Sequence, residues 1–161
     1  MDEAPVTTPL NGQLEVGLRV AMLLAASYPD SLDIGRLVLL DHALLHSGDL
    51  GGPTSVHPDL PLRAGELGMK RAAIRGGADF ACRLGLASMQ PEVTGIEFKA
   101  SERAEGFLAL LEADYAKELL SRASWIQMRF KDVDNTSIRT EMQSVFGHRS
   151  EEFGVAAGVG E

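Results

Sequence analysis

The sequence predicts a mainly α-helical fold with one small β-hairpin, arranged as a winged helix-turn-helix core followed by C-terminal helices. Three observations predict it. Apolar residues recur at helical spacing through most of the chain. One short stretch alternates instead, with Ile96, Phe98 and Ala100 set against Glu97 and Lys99. The order is helix, helix, helix, hairpin, then more helices. In that layout the hairpin is the wing and the third helix takes the recognition position.

Each element has its own justification. Residues 1–10 hold two prolines and little pattern, so a loose leader is expected. Leu14 to Ser27 reads as a helix, with Leu14, Leu18, Ala21 and Ala25 in one stripe and Val16, Val20, Leu23 and Leu24 filling most of the rest. Its only charges, Glu15 and Arg19, stand at the i,i+4 spacing of a helix ion pair. So apolar a helix belongs at the centre of the fold, and Tyr28-Pro29-Asp30 ends it. A second helix runs from Asp33 to Ser47, N-capped by Ser31 or Asp33, with a Leu37–Leu40–Leu44 row and Gly48 as its closing glycine. Residues 48–62 form a long Gly/Pro-rich loop, a kind of connection that is often functional.

Residues 63–85 make the third helical region. Met69, Ala73, Phe80 and Leu84 share one sector, and Arg71, Arg75 and Arg83 lie on a different side. Gly76-Gly77 interrupts the run; each glycine costs roughly 1 kcal/mol against alanine in a helix interior, which predicts a kink or break. Leu86 to Gln90 is the first strand of the hairpin and Pro91 to Gly95 supplies the turn. Ser101 is the expected N-cap of the next helix, with Ala104, Phe107, Leu108 and Leu111 inward. Asp114 caps a helix that runs to Phe130 and aligns Leu119, Ala123 and Ile126. Asn135 caps the last, with Ile138, Met142, Val145 and Phe146 on one face. The expected organisation is a leader at 1–10, a winged-helix-like core at 11–100, a helical extension at 101–146 and a flexible tail at 147–161.

Composition excludes several classes. Hydrophobic residues make up 45% of the 161-residue chain and charged residues 24%, which is globular rather than disordered. Cys82 stands alone, so no intramolecular disulfide and no multi-cysteine zinc site can form. The acidic start Met1-Asp2-Glu3 does not read as a signal peptide, and no apolar run is long enough for a bilayer. A cytoplasmic protein without a membrane role is expected. The net charge of −8 is uneven. Residues 1–62 carry two basic and eight acidic side chains, residues 63–83 five and two, and residues 84–161 eight and thirteen. Overall acidity opposes non-specific nucleic-acid binding, and the third helix is the one basic island.

Candidate sites follow from that island and from a few clusters. Lys70, Arg71, Arg75 and Arg83 are candidates to neutralise the phosphates of duplex DNA. The plainer reading is a solvated helix face, or a surface for an acidic partner protein. No aromatic residue interleaves with the arginines, which argues against single-strand stacking. His42 and His46 stand at i,i+4 with Asp41, Asp49 and His57 nearby, the raw material of a zinc site. The H-A-L-L-H run lacks the glutamate of zinc hydrolases, and the plainer reading is hydrogen bonding to the following loop. No metal is assigned. Gly48 to Pro53 lacks the Gly-Lys-Ser/Thr ending of a P-loop and follows no strand, so nucleotide binding is rejected. No nucleophile elbow or paired carboxylates can be found, and Cys82 reads as a small core residue. No catalytic residue and no cofactor are assigned, and an enzyme is not expected. In the last helices Trp125 and Met128 are candidates for a partner surface, because Leu119, Ala123 and Ile126 already fill the inner row; completing the core is the equal alternative.

Four stretches carry a resemblance: L-E-V-G-L-R (Leu14 to Arg19), H-S-G-D (His46 to Asp49), G-G-P-T-S-V-H-P (Gly51 to Pro58) and L-R-A-G-E-L (Leu62 to Leu67). Together, over residues 10–150, the chain resembles the middle component, of the second type, of bacterial ABC-three-component systems. Residues 46–67 are the most specific part, and Gly76-Gly77-Ala78-Asp79 departs from the pattern. The resemblance implies a winged-helix-like accessory subunit beside an ABC or SMC-like ATPase and an effector protein, in defence against phages or plasmids. It implies a non-catalytic adaptor, with ATP hydrolysis and DNA cleavage left to other subunits. Loop 48–62 is then a partner contact, with Asp49, His57 and Arg63 as candidates. The competing expectation is a stand-alone winged-helix transcription regulator.

Overall fold

The computed structural model describes residues 12–56 and 66–156, the latter by backbone alone at 66–68 and 146–156. The expected leader, and His57 and Arg63 of the candidate partner loop, lie outside the described residues.

Helix α1 (Gln13–Ser27) is buried nearly all round, by Val16, Val20, Ala21, Met22, Leu23 and Leu24. It is the central rod: α2 to α5 and the sheet all pack against it. Strand β1 (Leu32–Asp33) and helix α2 (Ile34–Leu45) follow. Asp33 is the N-cap, and its carboxylate accepts the Arg36 N–H at 2.7 Å. Gly48 does not close α2. The helix stops at Leu45, Ser47–Leu50 forms a single 3-10 turn, and the left-handed glycine is Gly51 at φ 75°.

Helix α3 (Glu66–Arg83) runs unbroken through Gly76-Gly77, against the expected kink. The reason is packing. A Cβ on Gly77 would lie 2.6 Å from Val16 Cγ1 and 3.0 Å from the backbone nitrogen of Gly17. A Cβ on Gly17 would meet the Phe80 ring at 2.8 Å. The two glycines let α1 and α3 cross backbone to backbone, so Gly77 serves contact and not bending.

The hairpin is present as β2 (Ala87–Glu92) and β3 (Gly95–Ala100), with Val93-Thr94 as its turn. It is not two-stranded in isolation. β1 pairs with β3, placing Leu32 opposite Phe98, so the sheet is antiparallel in the order β1-β3-β2. Two residues are too few for a periodic signal, so the sequence shows only the N-cap candidates Ser31 and Asp33 at this place. The expected alternation holds at its inner end, where Phe98 and Ala100 are buried, while Ile96 is exposed.

Three caps differ from expectation. Ser101 does not cap α4 (Ala104–Ala109); its hydroxyl donates to Gly85 O at 2.7 Å and ties the sheet to the end of α3. Asp114 is the first residue of α5 (Asp114–Phe130), not its cap. For α6 (Asn135–Ala156), Asp134 rather than Asn135 accepts the Ser137 N–H, at 2.7 Å. Helix α6 continues to Ala156, so residues 147–156 are helical where a tail was expected. The expected inner row of α5, Leu119, Ala123 and Ile126, is buried, and Phe130 joins it. On α6 Ile138 and Met142 are buried, Val145 is half-buried and Phe146 lies outside the described side chains. On α4 Ala104 and Leu108 are buried, but Phe107 is exposed against expectation. One apolar cluster gathers residues of all six helices and of the sheet, with Ile138 and Met142 as its members from α6.

Candidate interaction surfaces

A buried ion triad sets how α3 presents itself. Asp41, on α2, has no solvent contact. Arg19 of α1 donates to it through Nε at 2.7 Å and Nη2 at 3.3 Å, and Lys70 Nζ of α3 lies 3.1 Å from its Oδ2. Burial pushes the Asp41 carboxyl up, but Lys70 and Arg19 more than reverse this and hold it below the usual carboxylate range. Beside it His42 stacks on His46, ring centres 4.6 Å apart. Burial, then Lys70 and His46, push His42 down to about 3, against the pull of Asp41, so it is neutral. Among the described residues no group of three or more His, Cys, Asp and Glu could hold a metal ion. Burial, and next Asp79, push the half-buried Cys82 thiol up, away from reactivity.

Lys70 therefore points inward, unlike Arg71, Arg75 and Arg83. With Lys70 and Gly77 turned to the core, Ile74, Ala78 and Ala81 are buried. Arg71, Arg75 and Arg83 are all exposed. The sector of Met69, Ala73, Phe80 and Leu84 also faces outward: Met69 is 77% and Leu84 44% exposed, and only Phe80 is half-buried. The Arg83 guanidinium lies 5.7 Å from the centre of the Phe80 ring.

The loop after α2 folds back on α5 as far as it is described. Ser47 Oγ donates to Pro53 O at 2.8 Å, and the Gly48 N–H donates to Ser55 Oγ at 3.1 Å. Arg122 Nη2 donates to Thr54 O at 3.0 Å. Trp125 lies against Gly52, where a Cβ would come within 2.5 Å of the indole, and meets Phe130 edge-on. Trp125 is thus engaged within the fold, whereas Met128 projects freely at 86% exposure. Asp49 is half-buried in the 3-10 turn.

Sequence reasoning missed a clamp between α2 and the α5–α6 connection. Arg36 Nη1 donates to Val133 O and Asn135 Oδ1, and Nη2 donates to Phe130 O at 2.6 Å. A guanidinium alone supplies this fork. The clamp crosses an open cavity of about 640 Å³ whose lining includes Asp30, Asp33, Glu97, Asp132 and Asp134 beside Lys131. Nothing in the local pattern announces a contact between residues so far apart in sequence.

Fold and surfaces together define a small, mainly helical domain with a three-stranded antiparallel sheet, a cationic helix face and an acidic groove. Among the described residues no helix is long and apolar enough to cross a membrane. The chain belongs to the family described as ABC-three component (ABC-3C) system Middle Component 2, whose model matches residues 9–152. No curated protein and no solved structure matches it. It is thus a middle component of such a system, the family expected from the opening resemblance.

Proposed function

We propose that the chain is a non-catalytic adaptor, acting in the cytoplasm, that joins an ABC or SMC-like ATPase to an effector protein in defence against phages or plasmids. The observation that carries this reading is the span of the family match, residues 9–152, which takes in α1 through most of α6. The whole folded body is then one component of a multi-protein system. Two surfaces of unlike charge support a bridging role: the outward arginines of α3, and the groove lined by five carboxylates and two basic side chains. Electrostatic complementarity of this kind steers encounter and selects partners. The order β1-β3-β2 beside three helices supports a winged-helix arrangement. Duplex DNA on α3 would be a further contact through Arg71, Arg75 and Arg83; the net charge of −8 opposes it.

The test is a tagged pull-down of the full chain, co-expressed with the proteins of its neighbouring genes and read by mass spectrometry. Recovery of a stable complex containing the ATPase is expected. Recovery of the chain alone, as a dimer that retains duplex DNA at low salt, would overturn the adaptor reading in favour of a stand-alone winged-helix regulator.

A further inference from the structure

We propose that the solvent face of α3 docks an acidic amphipathic helix of a partner protein; the proposal rests on the reading of this chain as a subunit of a protein assembly. The face combines apolar and cationic groups. Met69 and Leu84 are exposed along one flank, with Ala72, Ala73 and Gly76 between. Arg71, Arg75 and Arg83 stand exposed on the other side, and Asp79, half-buried, is the one acid from Met69 to Leu84. Among the described residues Arg71 and Arg75 make no hydrogen bond or ion pair, and the Arg71 guanidinium lies near Gly35 at the start of α2. Exposed methionine and arginine on one patch are residue types enriched at protein interfaces relative to the rest of the surface.

Charge selects the occupant. The body outside this island is acidic, −6 before residue 63 and −5 after residue 83. An acidic segment is repelled elsewhere and drawn to this face. The arginines at 71 and 75 are one helical turn apart, matched by carboxylates at i,i+4 on a facing helix. The face from Met69 to Leu84 is about 23 Å long, enough for roughly four turns of a partner helix. Nucleic acid fits less well: it would set phosphates against Met69 and Leu84, and three arginines release few counterions.

Gly76 adds a geometric observation. Unlike Gly77 it is not required by the crossing of α1, since a Cβ there meets nothing within 4 Å. It keeps the middle of the face low, where a second helix can approach closely.

The experiment uses the purified full chain and three fluorescent probes: a helical peptide with leucines on one face and glutamates on the other, a scramble of the same composition, and a 20-base-pair duplex. The amphipathic peptide is expected to bind most tightly. Its affinity should fall about tenfold or more in R71E/R75E, as for charge pairs at interfaces. G76Q should also weaken it, by obstruction, while circular dichroism and thermal unfolding show both variants folded. Equal binding of the scramble, tighter binding of the duplex, no binding of any probe, or unchanged affinity in both variants would overturn the proposal. Recovery of the ATPase complex by the R71E/R75E chain at wild-type yield would remove the docking face while leaving the adaptor reading intact.

Discussion

A carboxylate without solvent contact persists only when cations hold it. Asp41 has two, and one of them, Arg19, is itself buried. Asp41→Asn removes the carboxylate that buried Arg19 and Lys70 share and is expected to cost about 3–5 kcal/mol, read as a lower urea midpoint. His42 gives the pH dependence. Its folded value is pushed down to about 3 from 6.5, so between those values the unfolded chain binds a proton that the folded chain refuses. Stability therefore rises with pH across this window and is lost as pH falls below 6.5. Unfolding free energy should drop by up to about 2 kcal/mol from pH 7 to pH 5, and His42→Gln should flatten that fall. Asp41 and His42 inside L-L-D-H-A-L-L are legible in the sequence as polar groups on an apolar helix, for which the sequence offers a zinc site or, more plainly, hydrogen bonding to the following loop. What local sequence lacks is the partner: Arg19 and Lys70 come from two other helices.

At the scale of elements, neighbouring glycines on α3 have opposite roles. Gly76→Ala is expected to stabilise the protein by about 0.4–1 kcal/mol through helix propensity alone. Gly77→Ala must push Val16 and the α1 backbone away, and should destabilise by about 1–3 kcal/mol. Paired thermal melts separate the two. Propensity penalises both glycines alike, which is why the expected kink was wrong: helix α3 is held straight by the helix it crosses. Arg36 acts similarly at long range. Arg36→Lys keeps a charge but loses the fork to Phe130 O, Val133 O and Asn135, and should cost about 1.5–3 kcal/mol. Hydrogen exchange at residues 131–135 should accelerate in that variant.

Across the whole molecule, the apolar cluster joins residues on both sides of residue 100: Val20, Leu37 and Phe98 belong to it, as do Leu119, Ile126, Phe130 and Ile138. The segments before and after residue 100 therefore share one core. A single calorimetric transition is expected, with equal van't Hoff and calorimetric enthalpies; two transitions would show that the halves fold separately. Charge belongs to this scale too. An acidic surface interrupted at α3 is a property of the whole chain, and no single helix shows it.

The sequence by itself determined the helices with clear amphipathic period, the hairpin and the family. These depend on local spacing and on strings such as H-S-G-D and G-G-P-T-S-V-H-P, which a linear reading can find. Tertiary structure decided the third strand, the direction in which α3 faces, the use of Trp125 on Gly52 and the clamp at Arg36. On α3 Met69 and Leu84 turn outward, while Ile74, Gly77, Ala78 and Ala81 turn inward. The physical reason is that α1 passes too close for a side chain at Gly77: which side of a helix is buried depends on the distance of its neighbour as well as on hydrophobicity.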